Sequence, residues 1–318
     1  MQRTLLPLAL LAACLAPLVA LAQPWPSRPV KVIVPYPPGG NTDIIARAYT
    51  QPLAERLGRP VIVENRGGAA GMLGMGIAAK SPNDGYTIAI GDLGSMVIAT
   101  FVNPALPYAP QKDFAPVSLL ATVSVVVTVV PASPLGSIGD LLASARANPG
   151  KLTYGTAGIG TINHLAFEQL RRMTGVDMLH VPFKGGAQAL TALLGGEIDV
   201  LVDGTAFAQV RNGRLKAIAV TGPRAAALPD VPSIGETVPG FASTNWWGFV
   251  APAGAPAAAI DRLNEELRQI AAQPELRERL TGLGINPHAS SPREFAELVR
   301  TETEKVGQIV REAGIKFE

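Results

Sequence analysis

A short β-branched run, Val30 to Val34, is followed at once by the proline-glycine segment Pro35 to Gly40. From Asp43 to Leu57 apolar residues then recur at helical spacing. Gly58 stops that helix, and Val61 to Val63 forms the next predicted strand. Asn65-Arg66-Gly67-Gly68 opens a helix toward Ala79, and Asn83-Asp84-Gly85 turns into a strand over Tyr86 to Ile90. Alternation of this kind, strand then glycine loop then helix, fixes an α/β fold and argues for a parallel sheet.

A comparable order returns after Asn148-Pro149-Gly150. Lys151 to Tyr154 reads as a strand, Gly155 to Gly160 as a glycine loop, Ile162 to Met173 as a helix, and Met178 to Val181 as another strand. Phe183-Lys184-Gly185-Gly186-Ala187 then stands where Asn65-Arg66-Gly67-Gly68-Ala69 stood, before a helix and the strand Ile198 to Val202. The pseudo-repeat points to two lobes. Two apolar stretches are candidates for crossing between them: Phe114 to Pro131, read as one buried strand, and Thr244 to Val250 with Trp246 and Trp247. A chain that leaves the first lobe near residue 120 and returns near residue 246 makes that lobe discontinuous. The expected boundaries are 23–123 with 247–318 for lobe one and 124–246 for lobe two. From Ala257 onward the chain reads as mostly helical, with a capping box and N1 proline at Ser291-Pro292-Arg293-Glu294.

Residues 1–22 read as a secretory signal peptide: Arg3, an apolar run from Leu5 to Leu21, and an Ala20-Leu21-Ala22 cleavage site before Gln23. A membrane anchor is disfavoured by Pro7, Pro17 and the missing basic flank. Leu11-Ala12-Ala13-Cys14 offers a lipoprotein-processing alternative, but cleavage after Ala22 leaves the better-proportioned apolar region. The expected location is therefore the periplasm. The only cysteine, Cys14, leaves with the leader, so the mature chain has neither disulfide nor thiol nucleophile. With 27 basic and 25 acidic side chains in all, the charge is close to balanced, which argues against nucleic acid as a partner.

Two glycine loops carry the functional signal. Tyr36-Pro37-Pro38-Gly39-Gly40-Asn41-Thr42-Asp43 lies at the carboxyl end of a predicted strand and the amino end of a helix, where ligands of open α/β sheets bind. Backbone N–H groups and the helix dipole there favour an anion such as a carboxylate. The plain alternative is that Thr42 or Asp43 only caps the helix. Tyr154 to His164 repeats the pattern, with Gly158 and Gly160 in the loop and hydroxyls at Thr156 and Thr161 available to the same anion. His164, in the first turn of the next helix, reads as a packed or capping residue before it reads as a catalyst. Asp203, just after a buried strand, either accepts from a ligand or bonds the neighbouring turn N–H groups.

No Gly-x-Ser-x-Gly elbow, His-Glu-x-x-His motif or phosphate-binding loop is present, and there are only three histidines. Gly74-Met75-Gly76-Ile77-Ala78-Ala79 fits a relaxed dinucleotide fingerprint but falls inside a predicted helix instead of directly after a strand. The expectation is a binding protein, not an enzyme, with no catalytic residue, metal or cofactor.

From about Trp25 to its end the chain resembles the Bug family of periplasmic solute-binding proteins, the TctC-like receptors of tripartite tricarboxylate transporters. The matching pieces are Trp25 to Val30, Pro35 to Gly40 with Asp43, Glu64 to Gly68, Asn83 to Thr87, Gly158-x-Gly160 with His164-Leu165, Val181 to Gly185 and Leu194 to Asp199. The resemblance implies a two-lobed type II periplasmic binding-protein fold, a Venus flytrap with two hinge crossovers, acting as a monomer on a small carboxylate. It also implies a membrane permease as the further partner. A signalling partner such as a sensor kinase is the alternative. By motif, the implied ligand-binding residues are Tyr36, Gly39, Gly40, Asn41, Thr156, Gly158, Gly160, Thr161 and Asp203. Thr161 stands where the family often has Ser, and Asn41 where smaller residues are common, so the pocket is expected to be narrowed or re-polarised.

Overall fold

The computed structural model describes residues 25–313 except Gly160, Lys184 and Ala226. The leader and its cleavage site therefore lie outside the described residues. Among the described residues eleven strands follow in chain order: β1 (Val30–Val34), β2 (Val61–Asn65), β3 (Thr87–Asp92), β4 (Phe114–Ser124), β5 (Val126–Val129), β6 (Thr153–Thr156), β7 (Leu179–Pro182), β8 (Val200–Val202), β9 (Lys216–Val220), β10 (Thr244–Pro252) and β11 (Asn286–Pro287). They form two sheets, one in the order β11-β4-β10-β3-β1-β2 and the other β7-β6-β8-β5-β9. The parallel trio β2-β1-β3 has its counterpart in β7-β6-β8, with the first strand of each half in the middle. The pseudo-repeat in the sequence is thus a repeat of topology.

The sheets are mixed, which corrects the expectation of a parallel sheet. β10 runs antiparallel to both β3 and β4, and β5 runs antiparallel to both β8 and β9. These are the strands next to the crossings, where the chain enters one sheet from the other and reverses direction. The run read as a single strand from Phe114 to Pro131 is two strands in different sheets, interrupted at Val125. Every residue from Ser124 to Val129 is buried, so hydrophobicity alone could not mark the break.

Hydrogen bonds centred on Thr221 hold the two crossings together. Its hydroxyl accepts from the Val125 N–H at 3.0 Å and donates to the Ser243 carbonyl at 2.7 Å. Its backbone N–H donates to Val125 O and its carbonyl accepts from Ser243 N, both at 2.9 Å. Thr221 is fully buried. One side chain thereby satisfies two buried main-chain groups that belong to neither regular ladder.

Each sheet has its own aliphatic core. Tyr49, Leu53, Phe249 and Leu267 pack under the first, and Tyr154, Phe167 and Leu141 under the second. A third cluster joins them, in which Leu165 of helix Ile162–Thr174 meets Trp246, Phe295 and Val299. The last helix, Pro292–Ala313, thus packs against elements of both halves. Arg172 pairs with Glu312, and Lys305 Nζ donates to Ala242 O at 3.1 Å. The glycine pattern at Gly74 also has a packing explanation. Its helix, Met72–Ala79, lies so close to β1 that a Cβ there would sit 2.6 Å from Arg66 O and 2.7 Å from Pro35 Cα. Among the described residues no helix is long and apolar enough to cross a membrane.

Thr221→Val keeps the shape but strands the Val125 N–H and the Ser243 carbonyl in a dry interior. The expected cost is about 2–4 kcal/mol, read as a fall in Tm of roughly 5–10 °C. Thr221→Ser, which retains the hydroxyl, is expected to recover most of it. Equal melting of Val and Ser variants would show that the hydroxyl does not hold the crossing.

Candidate functional site

The first loop is built by an aspartate three residues into its own helix. Asp43 accepts from the Gly39 N–H at 3.0 Å, from Asn65 Nδ2 at 2.9 Å and from Arg47 Nε through both oxygens. Asn65 Nδ2 also donates to the Tyr36 carbonyl at 3.1 Å, so β2 braces the loop that follows β1. Burial pulls the Asp43 pKa upward, but its bonds to Arg47, Asn65 and Gly39 outweigh that and hold it below the usual carboxylate value. Gly39 turns the chain with φ +89°, a conformation other residues adopt only with strain. Helix Asn41–Leu57 starts at Gly40 with no side-chain cap on its first N–H groups.

The second loop also uses its hydroxyls for its own structure. Thr161 Oγ1 caps helix Ile162–Thr174 by accepting from the His164 N–H, and donates to Gly158 O at 2.8 Å. Thr156 Oγ1 accepts from the Gly158 N–H at 3.2 Å and bonds His180 Nε2 at 2.7 Å. The His180 ring stacks between Tyr154, at 4.8 Å, and His164, at 4.1 Å and nearly parallel. Beneath this stack Glu168 accepts from the Tyr154 hydroxyl and from Arg171. Burial and the adjacent His164 push the His180 imidazole down to about 4, and burial lowers His164 as well.

Between the halves lies a cavity of about 730 Å³. Tyr36 and Thr42 reach it from the first loop, Ile159, Thr161 and Ile162 from the second, and Asn245 and Trp247 from the return crossing. The end of β3 supplies Asp92 and the segment after it Gly94, Ile98, Ala99, Val102 and Asn103, while Ala70 and Met72 complete the wall. Trp247 Nε1 donates to Thr42 Oγ1 at 2.9 Å, so the crossing strand is bonded to the start of the first helix. Asp92 accepts from the Ser95 N–H and hydroxyl, each at 2.7 Å, and from the Tyr36 hydroxyl at 3.2 Å. Burial raises the Asp92 pKa despite those bonds. Burial and the neighbouring Asp92 raise that of Tyr36, which stays a phenol donor.

Of the residues singled out from the sequence, Tyr36 and Thr161 stand on this wall. Gly39, Gly40 and Asn41 are exposed and do not line it. Thr156 is fully buried behind the second loop, and Gly158 forms the turn that Thr156 and Thr161 bond. Gly160 lies outside the described residues. Asp203 is buried off the wall, accepting from Asn163 Nδ2 at 2.5 Å and Thr205 N–H at 2.8 Å. That is the turn-bonding alternative for this carboxylate. Sequence reading passed over Asp92, although it ends a parallel strand beside β1, and treated Trp247 only as part of a crossing. Among the described residues no group of three or more potential metal ligands occurs.

The histidine stack makes stability fall with acid. The unfolded chain takes up a proton at His180 near pH 6.5 and the folded chain only near 4, so the contribution is complete above 6.5 and shrinks as the pH drops across that window. His164 acts in the same direction. A His180→Gln variant is expected to lose less Tm between pH 7 and pH 4.5 than the parent. Parallel melting curves against pH for the two proteins would exclude the stack as the source.

The chain matches the tripartite tricarboxylate transporter family receptor over residues 45–315. It is 40% identical, over 91% of its length and 87% of the relative's, to the UPF0065 protein in the tcbD-tcbE intergenic region of Pseudomonas sp. (strain P51). Two similar structures come from Rhodopseudomonas palustris. Rpa4515 with adipate is 32% identical with TM-score 0.77, covering 92% of this chain and 99% of that one. MatC (Rpa3494) with bound malate is 33% identical with TM-score 0.72, covering 90% and 100%. With two mixed sheets, a double crossing and a cavity between the halves, this chain belongs to the TctC-like receptors of tripartite tricarboxylate transporters, the Bug family of solute-binding proteins, and is a receptor and not an enzyme.

Proposed function

We propose that this receptor works in the periplasm, freed of residues 1–22 by cleavage after Ala22, and that it captures a small carboxylate between lobe one (23–123 with 247–318) and lobe two (124–246). It then delivers that ligand to a membrane permease of the tripartite tricarboxylate type. The observation that carries this reading is the cavity itself, which takes its wall from both glycine-loop regions and from the β10 crossing. A ligand there touches both lobes at once, which is what a closure driven by differential binding requires. The relatives with adipate and malate support a carboxylate as the class.

The grip is of a kind suited to a carboxylate without a cationic partner. Among the described residues no Lys, Arg or His stands on the cavity wall. The uncapped start of helix Asn41–Leu57 and the Thr42 hydroxyl, whose oxygen already accepts from Trp247, leave donors directed by the fold. Asp43 keeps its negative charge engaged by Arg47, Asn65 and Gly39, so it organises the loop instead of competing for the helix terminus.

The mature chain, refolded free of ligand, is expected to gain several degrees of Tm with some member of a panel of mono-, di- and tricarboxylates. A ligand at a hundred times its Kd adds about 2.7 kcal/mol. Thr42→Val is expected to weaken that ligand about tenfold, with a fall in Tm from the unpaired Trp247 indole N–H that Thr42→Ser does not share. A verified fold that no acid stabilises would overturn the carboxylate reading.

A further inference from the structure

The cavity wall is polar in one region and apolar over the rest. Tyr36, Thr42, Asp92 and Asn245 form the polar part. Ala70, Met72, Ile98, Ala99 and Val102 from one half face Ile159 and Ile162 from the other. The polar side chain interspersed in this apolar part, Asn103, is partly engaged: Nδ2 is 3.2 Å from Met72 Sδ, Oδ1 accepts from the Ala105 N–H, and one amide N–H is left over. Thr161, beside Ile162, has its hydroxyl on Gly158 O. Among the described residues, a second carboxylate lying against these surfaces would lose its hydration and meet one Asn103 N–H as its side-chain replacement.

Two further features point the same way. Ile159 sits at the tip of the second loop with 52% of its surface exposed, a large aliphatic side chain held at the mouth of the cavity. Such a residue gains most by being covered with apolar surface. Among the described residues Asp92 is the one acidic side chain on the wall, buried and bonded by Ser95 and Tyr36. With one ligand carboxylate already placed in the same polar part, each further anionic group adds repulsion from Asp92 or favours its protonation.

We propose that the receptor selects monocarboxylic acids carrying an apolar body, either a short aliphatic chain or one aromatic ring, over di- and tricarboxylates. This inference rests on the carboxylate-receptor reading and narrows it. The single carboxylate lies at the Thr42 end, and the body lies between the 98–102 segment and Ile159 with Ile162. A cavity of about 730 Å³ holds a ring or chain of that kind more fully than it holds malate.

Calorimetric titration of the ligand-free mature protein with hexanoate, phenylacetate, adipate, malate and citrate tests this. Hexanoate or phenylacetate is expected to bind at least about tenfold more tightly than any of the other three. Val102→Lys places an ammonium group in the apolar wall and is expected to reverse the order of hexanoate and adipate. Should that variant melt abnormally, Ile159→Lys on the exposed loop makes the same test with little structural cost. Adipate or malate binding the parent protein as well as hexanoate does would overturn the apolar selection and leave the carboxylate reading standing. Binding of none of the five, with melting behaviour intact, would overturn both. A folded lysine variant that gains nothing for adipate would remove this wall from the contact surface.

Discussion

The hydrogen bonds around Thr221 are the point on which the two halves turn. A polypeptide that passes twice between sheets leaves main-chain groups at each passage that no ladder can satisfy, and burying them unpaired is costly. Here the two passages are placed side by side so that they satisfy one another, with the Thr221 hydroxyl completing the set. Because Ser124 pairs with Thr244 immediately beyond, β4 and β10 leave the crossing already in register. That register carries Trp247 to the start of helix Asn41–Leu57, where its indole bonds Thr42. The position of the cavity wall is therefore set by the crossing as much as by the loops that flank it.

The two glycine loops look alike in sequence and are stabilised by different chemistry. In the first, a charged network of Asp43, Arg47 and Asn65 fixes the turn from beside the helix. In the second, neutral hydroxyls and a stacked imidazole pair do so, with Glu168 and Arg171 beneath. Both networks consume side-chain hydrogen-bonding capacity in holding backbone in place. The chemistry left facing the cavity is consequently sparse, and selectivity falls to shape, apolar surface and a few directed donors. Ala69 and Ala70 follow the same logic on the third side of the site: both take positive φ, a conformation costly for alanine, in the segment whose Ala70 carbonyl accepts from Tyr36.

Much of this was legible in the sequence where a local signal determines local structure. β1 and helix Ile162–Thr174 begin at the residues the pattern indicated, because a β-branched run against a glycine loop and a Thr before an amphipathic turn are each sufficient locally. Strand direction was not legible. β10 and β5 are as apolar as parallel core strands, and their antiparallel pairing follows from which sheet the chain has just left. For the same reason the break at Val125 left no mark in a fully apolar stretch. At the site, composition identified the loops but could not tell a hydroxyl facing a ligand from one that holds its own turn. Thr156 and Asp203 are polar residues at the ends of buried strands, as ligand contacts would be, and their partners are internal. Asp92 carries no flanking motif, and its place on the wall depends on β3 lying beside β1.

The last helix sets a limit on how the halves can move. A clamshell whose only links were two hinge segments could swing freely about them, but Pro292–Ala313 packs Phe295 edge-on to Trp246, with ring centroids 5.4 Å apart, and shares a cluster with Leu165. Rotation of lobe two about Thr221 must therefore slide helix Ile162–Thr174 along this cluster. The apolar contact at Leu165 tolerates such sliding, since dispersion is not directional, whereas the Arg172 and Glu312 pair at the periphery is partly exposed and screened by solvent. Thr161 and Ile162, at the start of the same helix, stand on the cavity wall. The helix that the last helix packs against is thus the one that carries the second loop's share of the cavity wall.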